Sequence, residues 1–162
     1  MSGKEKKQLI DSLTEAHNST RAALDGVDLE MPVYKDTGWR IRDIVGHIAT
    51  WDQEIANSLN AYKEGSAYLT PNFDEEEAEF NDKAVLEQRK LSTEQILKEF
   101  ETAYDAFKNS IQEIPDVQFP GDLMYPWGDE HGDIATMVDY MIEHTIEHRD
   151  EIKVAVQVSQ KT

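Results

Sequence analysis

Cysteine is absent from the 162 residues of this chain, which excludes thiolate catalysis, thiolate metal ligands and disulfide bonds. Basic residues are also scarce, since 16 Lys and Arg residues face 33 Asp and Glu residues and leave a formal net charge of −17. Because a charge of this sign repels phosphate groups and anionic lipids, we expect neither nucleic acid nor a membrane surface as a partner.

Long apolar runs are missing as well. No segment approaches the roughly 20 consecutive apolar residues that a membrane-spanning helix needs. The charged start of the chain is not followed by an apolar stretch, so no signal peptide is predicted. We therefore expect a soluble cytoplasmic protein, and the length predicts that residues 1–162 form a single domain with a sizeable core.

Apolar residues recur with the period of an α-helix, whereas the alternation typical of strands is nearly absent. Helices are predicted at residues 4–24, 39–64, 74–86, 93–114 and 134–156, with a frayed tail from residue 157. Ser92, Asp133 and, for the short acidic helix, Asp74 are predicted as helix caps. Residues 116–132 contain several Pro and Gly residues and are predicted to be irregular. Four long amphipathic helices, with a short extra helix in the second connection, predict an all-α four-helix bundle.

The last predicted helix carries His144 and His148 four residues apart, so their side chains lie about 6 Å apart on one face. Both lie in the apolar stripe of this helix, and His47 lies at the edge of the stripe of the second helix. Two imidazoles from one helix and one from a partner helix form a three-nitrogen site with open positions, as catalytic metals use. The alternative is a set of core histidines whose polar atoms are satisfied by Tyr or Glu side chains. The remaining histidines, His17 and His131, are expected to be structural or exposed.

Glu147 raises a second interpretation, because residues 144–148 fit the H-x-x-E-H pattern of certain zinc peptidases. In those enzymes the two histidines bind zinc and the glutamate acts as the general base. The pattern also requires an acidic third ligand on a further helix and a much larger scaffold, so the peptidase interpretation is disfavoured.

Aromatic and acidic residues are available to complete a site around the histidines. Trp51, Tyr125 and Trp127 are candidates for a substrate cleft, although aromatic residues of a bundle more often belong to its core. Asp52 and Glu143 are candidates for the hydrogen bonds that fix the tautomer of a ligand imidazole.

The segment at residues 37–52 resembles the W-x-x-x-D-x-x-x-H-x-x-x-W signature in the second helix of DinB-like proteins. Its fixed positions are Trp39, Asp43, His47 and Trp51. The pair Asn81-Asp82, the pair Pro126-Trp127 and the terminal histidine pair follow in the order of that family. The resemblance covers essentially the whole chain, and Asn81 with the long second connection is similar to the ClbS/DfsB-type branch.

This resemblance implies a DinB/YfiT-like bundle of up-down-down-up topology that holds a divalent metal at one end of a cleft. It implies that His47, His144 and His148 are the metal ligands. Members of the family include metal-dependent transferases and isomerases that use low-molecular-weight thiols, hydrolases, and proteins that protect cells from reactive toxins. Because members often pair through bundle faces, the resemblance also implies a homodimer.

The histidine pattern predicts a metal-dependent enzyme that acts on a small molecule, with Glu147 or Asp52 as its base. The resemblance implies that this enzyme is of the thiol-dependent transferase or hydrolase type. Zinc or nickel is the expected ion, with iron and manganese as alternatives, because imidazole suits all four. Any low-molecular-weight thiol must arrive as a cofactor, since the chain has no cysteine. The alternative function is a non-catalytic bundle that binds or sequesters a small molecule for self-protection.

Overall fold

The structure is a computed structural model that describes residues 2–71, 73 and 77–161. Five α-helices account for most of these residues: α1 Ser2–Ala23, α2 Ile41–Lys63, α3 Glu77–Gln88, α4 Thr93–Gln112 and α5 Ile134–Gln160. A 3-10 turn at Asp116–Gln118 and two short strands, β1 Leu123–Met124 and β2 His131–Gly132, lie between α4 and α5. The prediction of an all-α bundle with a short extra helix in the second connection is confirmed.

Two of the predicted caps begin their helices as expected. At the start of α4, the Ser92 hydroxyl accepts from the Gln95 amide at 3.1 Å, and the Gln95 side chain accepts from the Ser92 amide at 2.8 Å. At the start of α5, the Asp133 carboxylate accepts from the Thr136 amide at 2.9 Å. These bonds satisfy amides that have no partner inside their helix. The third predicted cap, Asp74, lies outside the described residues.

Three boundaries differ from the prediction. α2 begins at Ile41 rather than near Trp39, because the Trp39 carbonyl accepts from the Val33 and Tyr34 amides and holds this segment extended. α5 continues to Gln160, so the polar segment from residue 157 stays helical where fraying is predicted. The stretch at residues 116–132 is not wholly irregular, since β1 and β2 pair antiparallel within it.

The long helices run up, down, down and up in the order α1, α2, α4 and α5. α1 is antiparallel to α4, because Lys6 near its start donates to the Ile114 carbonyl beyond the end of α4 at 2.6 Å. α2 is parallel to α4, because Lys63 at the end of α2 pairs with Glu113 just after α4 at 3.1 Å. This connectivity matches the predicted topology.

α5 lies against both α1 and α2. It is antiparallel to α2, because His47 near the start of α2 contacts His148, whereas Trp51 one turn later lines a cavity with Met141, two turns earlier in α5. The Arg149 side chain donates to Ser19 at 3.0 Å and joins α5 to α1. The seam between α2 and α5 therefore brings together residues that are nearly a hundred positions apart in the sequence.

Two clusters of buried apolar side chains hold the bundle together. The larger cluster, around Phe107 and Ile134, includes Trp51 of α2 and Met141 of α5. The smaller cluster, around Phe100, includes Ile44 and Ile48 of α2 and Ile152 of α5. The clusters meet at the seam, where His47 packs against Trp39 of the smaller cluster and His144 lies beside Trp51 and Met141 of the larger one. None of the described helices is long and apolar enough to span a membrane.

We expect the substitution Phe107→Ala to lower the free energy of unfolding by about 3–5 kcal/mol, because it removes a ring that is fully buried and leaves a cavity. Urea unfolding followed by circular dichroism measures this change. Val117→Ala is the control, since Val117 is 92% exposed, and it should change stability by less than about 0.5 kcal/mol. Equal effects of the two substitutions would contradict the core described here.

Candidate metal centre

The α2–α5 seam brings the side chains of His47, His144 and His148 together. The Nε2 atom of His144 lies 3.0 Å from Nε2 of His47 and 3.1 Å from Nε2 of His148. One ring nitrogen from each of the three histidines lies within 4.8 Å of the other two. The structure therefore places all three predicted ligand residues around one point.

Hydrogen bonding alone does not explain this arrangement. A neutral imidazole carries a single N–H, and that hydrogen can point at only one neighbour at good geometry. Nε2 of His144 has either one hydrogen or one lone pair, but it lies close to the Nε2 atoms of both His47 and His148. A hydrogen bond therefore accounts for only one of these two close approaches. Three converging lone pairs are what a single cation needs.

The donor set fits a divalent ion. Zinc–nitrogen distances of about 2.0–2.1 Å, with bond angles between about 90° and 110°, place neighbouring ligand nitrogens about 2.9–3.4 Å apart. The separations of 3.0 and 3.1 Å around His144 fall within this range. The three donors come from one side, which leaves positions open for a substrate or a water molecule.

Burial keeps two of these imidazoles uncharged. Burial, with a smaller effect of the neighbouring imidazoles, lowers the pKa of His47 to about 2 and that of His144 to about 3. A buried cationic imidazole loses the hydration that stabilises its charge in water. Both rings are therefore neutral at physiological pH, the form in which imidazole binds a metal.

A carboxylate and a phenol contact the ring of His148 at Nδ1, on the side away from the other two histidines. Its Nδ1 atom lies 2.6 Å from Oε1 of Glu151, which also accepts a hydrogen bond from the Tyr34 hydroxyl at 2.6 Å. Nδ1–H donates to the carboxylate, so the lone pair of Nε2 is directed at the other two histidines. Burial, followed by the nearby Glu151, raises the pKa of Tyr34 well above its usual range.

These two partners were not among the residues predicted from the sequence. Glu151 follows His148 by three residues in the same helix, and that spacing is a signal from which it could have been found. Tyr34 lies in the connection between α1 and α2, where no periodicity indicates which side chains turn inward.

The predicted acidic partners take other places. Asp52 is buried, and burial raises the pKa of its carboxyl group to about 8. Glu143 and Glu147 lie on the exposed side of α5. Among the described residues, none of these three carboxyl groups forms a hydrogen bond with His47, His144 or His148.

A cavity of about 280 Å³ opens beside His144, and we call it the aromatic cavity. It is lined by the residues Trp51, Phe73, Trp127, Asp129, Glu130, Tyr140, Met141 and His144. Two of the three predicted cleft residues, Trp51 and Trp127, thus line it directly. The third, Tyr125, packs against the Trp127 ring with centroids 5.3 Å apart and donates to the Asp133 carbonyl at 2.9 Å.

Asn81, which the sequence motif singles out, positions one wall of this cavity. Its side-chain oxygen accepts a hydrogen bond from the Trp51 indole at 2.9 Å, so α3 fixes the orientation of that ring. Phe73 and Tyr140 also line the cavity but were not predicted from the sequence.

The remaining histidines lie elsewhere, as expected. His17 is buried between α1 and α4, where it stacks on Tyr104 and bonds to Glu101 at 2.6 Å. His131 is exposed and pairs with Asp122 at 2.6 Å. His17 is therefore structural, and neither histidine belongs to the triad formed by His47, His144 and His148.

Residues 10–150 match the family described as the mycothiol maleylpyruvate isomerase N-terminal domain. The match covers most of the chain, so the chain belongs to this family and to the DinB-like superfamily. No curated protein matches the chain in sequence.

Solved structures share the fold at low sequence identity. The mycothiol-dependent maleylpyruvate isomerase superimposes with a TM-score of 0.74 at 11% identity, over 91% of this chain and 60% of the isomerase. An uncharacterised protein from Clostridium difficile 630 gives a TM-score of 0.76 at 10% identity, over 94% of this chain and 96% of that chain.

YfiT from Bacillus subtilis, described as a probable metal-dependent hydrolase with an unusual four-helix bundle topology, gives a TM-score of 0.74 at 17% identity. That superposition covers 96% of this chain and 87% of YfiT. At these identities the comparisons show the fold, and the chain spans only about three fifths of the isomerase.

We expect Glu151→Ala to weaken zinc binding about 10–100-fold, because the His148 ring loses the acceptor that fixes its tautomer. Competition with a chromophoric chelator at pH 7.5 measures this change. Glu151→Gln, which keeps an acceptor oxygen, should fall between the wild type and Glu151→Ala. Asp150→Asn, an exposed neighbour, is the control, and an equal loss in that variant would show that only surface charge matters.

We expect His47 and His144 to lower the stability of the metal-free protein as the pH falls from 7 to 5. In this window the unfolded chain protonates its histidines near pH 6.5, whereas the lowered pKa values keep His47 and His144 neutral in the folded state. Each buried ring then contributes about 2 kcal/mol to the loss. Urea unfolding with chelator present, at both pH values, should show a much smaller loss for the double variant His47→Gln/His144→Gln. An unchanged loss would contradict the neutral buried pair.

Proposed function

We propose that this protein is a metal-dependent enzyme that acts on a small molecule, of the thiol-dependent transferase or hydrolase type. Its metal ligands would be His47, His144 and His148. The observation that carries the proposal is the convergence of their Nε2 atoms, at 3.0 and 3.1 Å, on one point beside a cavity.

Several features of the chain suit this chemistry. When bound, a divalent ion held by three neutral nitrogens keeps its full positive charge and makes a water molecule or a thiol beside it more acidic. Glu151 and Tyr34 orient His148, and Trp51 and Trp127 give the space beside His144 apolar walls.

The identity of the base is part of this proposal. Asp52 carries its proton at neutral pH, because its pKa is raised to about 8, so it is better suited to hold or donate a proton. Glu147 is exposed and lies between His144 and His148 in α5, so it is the candidate for accepting a proton from a substrate that enters from solvent.

The relatives support the cofactors that we propose. The matching family and one similar structure are named for a mycothiol-dependent isomerase, and YfiT is described as a probable metal-dependent hydrolase. A low-molecular-weight thiol would have to be supplied from outside, because this chain has no cysteine. Zinc or nickel is the proposed ion, and the homodimer also stays a prediction.

Metal addition should stabilise the wild type and not His148→Ala. An ion at about 100 times its dissociation constant adds about 2.7 kcal/mol to the free energy of unfolding. Thermal melts at pH 7.5, with zinc or nickel titrated against chelator, should show an upward shift for the wild type and none for His148→Ala. Because the apolar clusters hold the bundle, His148→Ala should still fold.

His131→Ala is the matched control, since His131 is exposed and lies outside the triad, and it should keep the full metal-dependent shift. Metal analysis of the purified wild type and of a variant that lacks all three histidines completes the test. Equal shifts for the wild type and His148→Ala would show that the site does not bind metal as proposed.

A further inference from the structure

The aromatic cavity has walls that suit a positive charge. Four aromatic rings, those of Trp51, Phe73, Trp127 and Tyr140, face it together with the thioether of Met141. The faces of aromatic rings carry partial negative charge and attract cations that have shed part of their water. Indole rings, of which the cavity has two, give the strongest attraction of this kind.

The polar groups at the cavity also favour a cation. Asp129 and Glu130 line it, no Lys or Arg is among its lining residues, and neither carboxylate forms an ion pair within the described part of the chain. Both carboxylates are exposed, so they act as a screened negative rim rather than as a buried pair. The net charge of −17 favours the approach of cations and opposes that of anions.

A hydrogen bond and two ring contacts fix the orientation of Trp127. Its indole N–H donates to the Glu130 carboxylate at 3.1 Å, and its ring contacts those of Tyr125 and Tyr140 at centroid distances of 5.3 and 5.8 Å. Because its only polar group is used at the rim, the ring contributes an apolar surface to the cavity. The same hydrogen bond keeps the Glu130 carboxylate beside the ring. A cation in the cavity can therefore contact an aromatic ring and a carboxylate together.

We propose that the aromatic cavity binds an organic cation, a small substituted ammonium group, as the recognition end of the substrate. Its volume of about 280 Å³ suits a small molecule. His144 belongs both to this cavity and to the triad, so the other end of such a molecule reaches the metal centre. The reaction at that end rests on the function proposed above, whereas the binding of the cation does not.

Two other ligand classes fit the cavity less well. A carboxylate or phosphate ligand would meet two carboxylates and find no basic side chain among the described residues that line the cavity. A neutral aromatic ligand would satisfy the rings but would gain nothing from Asp129 and Glu130. Only a cation uses both the rings and the rim.

Three ligands of nearly equal shape separate these classes: choline, its neutral isostere 3,3-dimethylbutanol, and the anion 3,3-dimethylbutanoate. Each is titrated into the protein while the indole N–H signals of its three tryptophans are followed by NMR. Choline should bind about tenfold more tightly than the neutral isostere, and the anion should bind more weakly than both. Equal affinity for choline and its neutral isostere, or tighter binding of the anion, would overturn the proposal.

Single substitutions test whether a preference for choline arises at this cavity. Trp127→Leu should abolish the preference for choline, and Trp127→Phe should retain part of it because a ring remains. Glu130→Gln should weaken choline binding several-fold and leave the neutral isostere unaffected. Glu99→Gln, an exposed acid at a different depression between α2 and α4, is the matched control and should change nothing. If Trp127→Leu keeps the full preference, the proposal is wrong.

His148→Ala separates this proposal from the metal proposal. This variant lacks one ligand of the triad, but His148 does not line the aromatic cavity, so it should bind choline like the wild type. A protein that binds zinc but shows no preference for choline would overturn the cation site and leave the metal centre intact. A protein that prefers choline but binds no metal would do the reverse.

Discussion

The antiparallel packing of α5 against α2 is the constraint on which the candidate site depends. It joins His47 to a histidine pair almost a hundred residues later, and it does so where the two apolar clusters meet. Imidazoles whose lone pairs converge gain little from one another, so this geometry has to be maintained by the packing around it. Ile44 and Ile152 are fully buried in the smaller cluster, and each lies about one helical turn from a histidine of the triad. Their packing supplies that support.

The same seam explains why a cavity lies next to the triad. Trp51 is one helical turn beyond His47, and Tyr140 is one turn before His144, so antiparallel helices bring the two aromatic residues to the same side of the histidines. One register of packing therefore sets both the ligand geometry and the wall of the neighbouring cavity. A shift by one turn along the seam would remove both together.

Features that follow from local chemistry could be predicted from the sequence. The caps at Ser92 and Asp133 depend on residues three positions away, and the pair His144 and His148 depends only on helical spacing. The start of α2 was missed because it depends on hydrogen bonds between Trp39 and residues 33–34, which no periodicity reveals. Tyr34, which reaches His148 across the fold, was missed for the same reason: its position is decided by tertiary packing.

Charge balance also links the two parts of the site. A divalent ion on three neutral ligands and an organic cation nearby would repel each other unless negative charge lay close to both. Glu151 follows the triad in α5, and Tyr140, at the rim of the aromatic cavity, precedes it by eleven residues, or about 16 Å of helix. The Glu151 carboxylate touches His148, while Asp129 and Glu130 line the cavity at the other side. Carboxylates therefore flank the triad at both ends of the seam, so each of the two proposed positive groups would have a negative partner of its own.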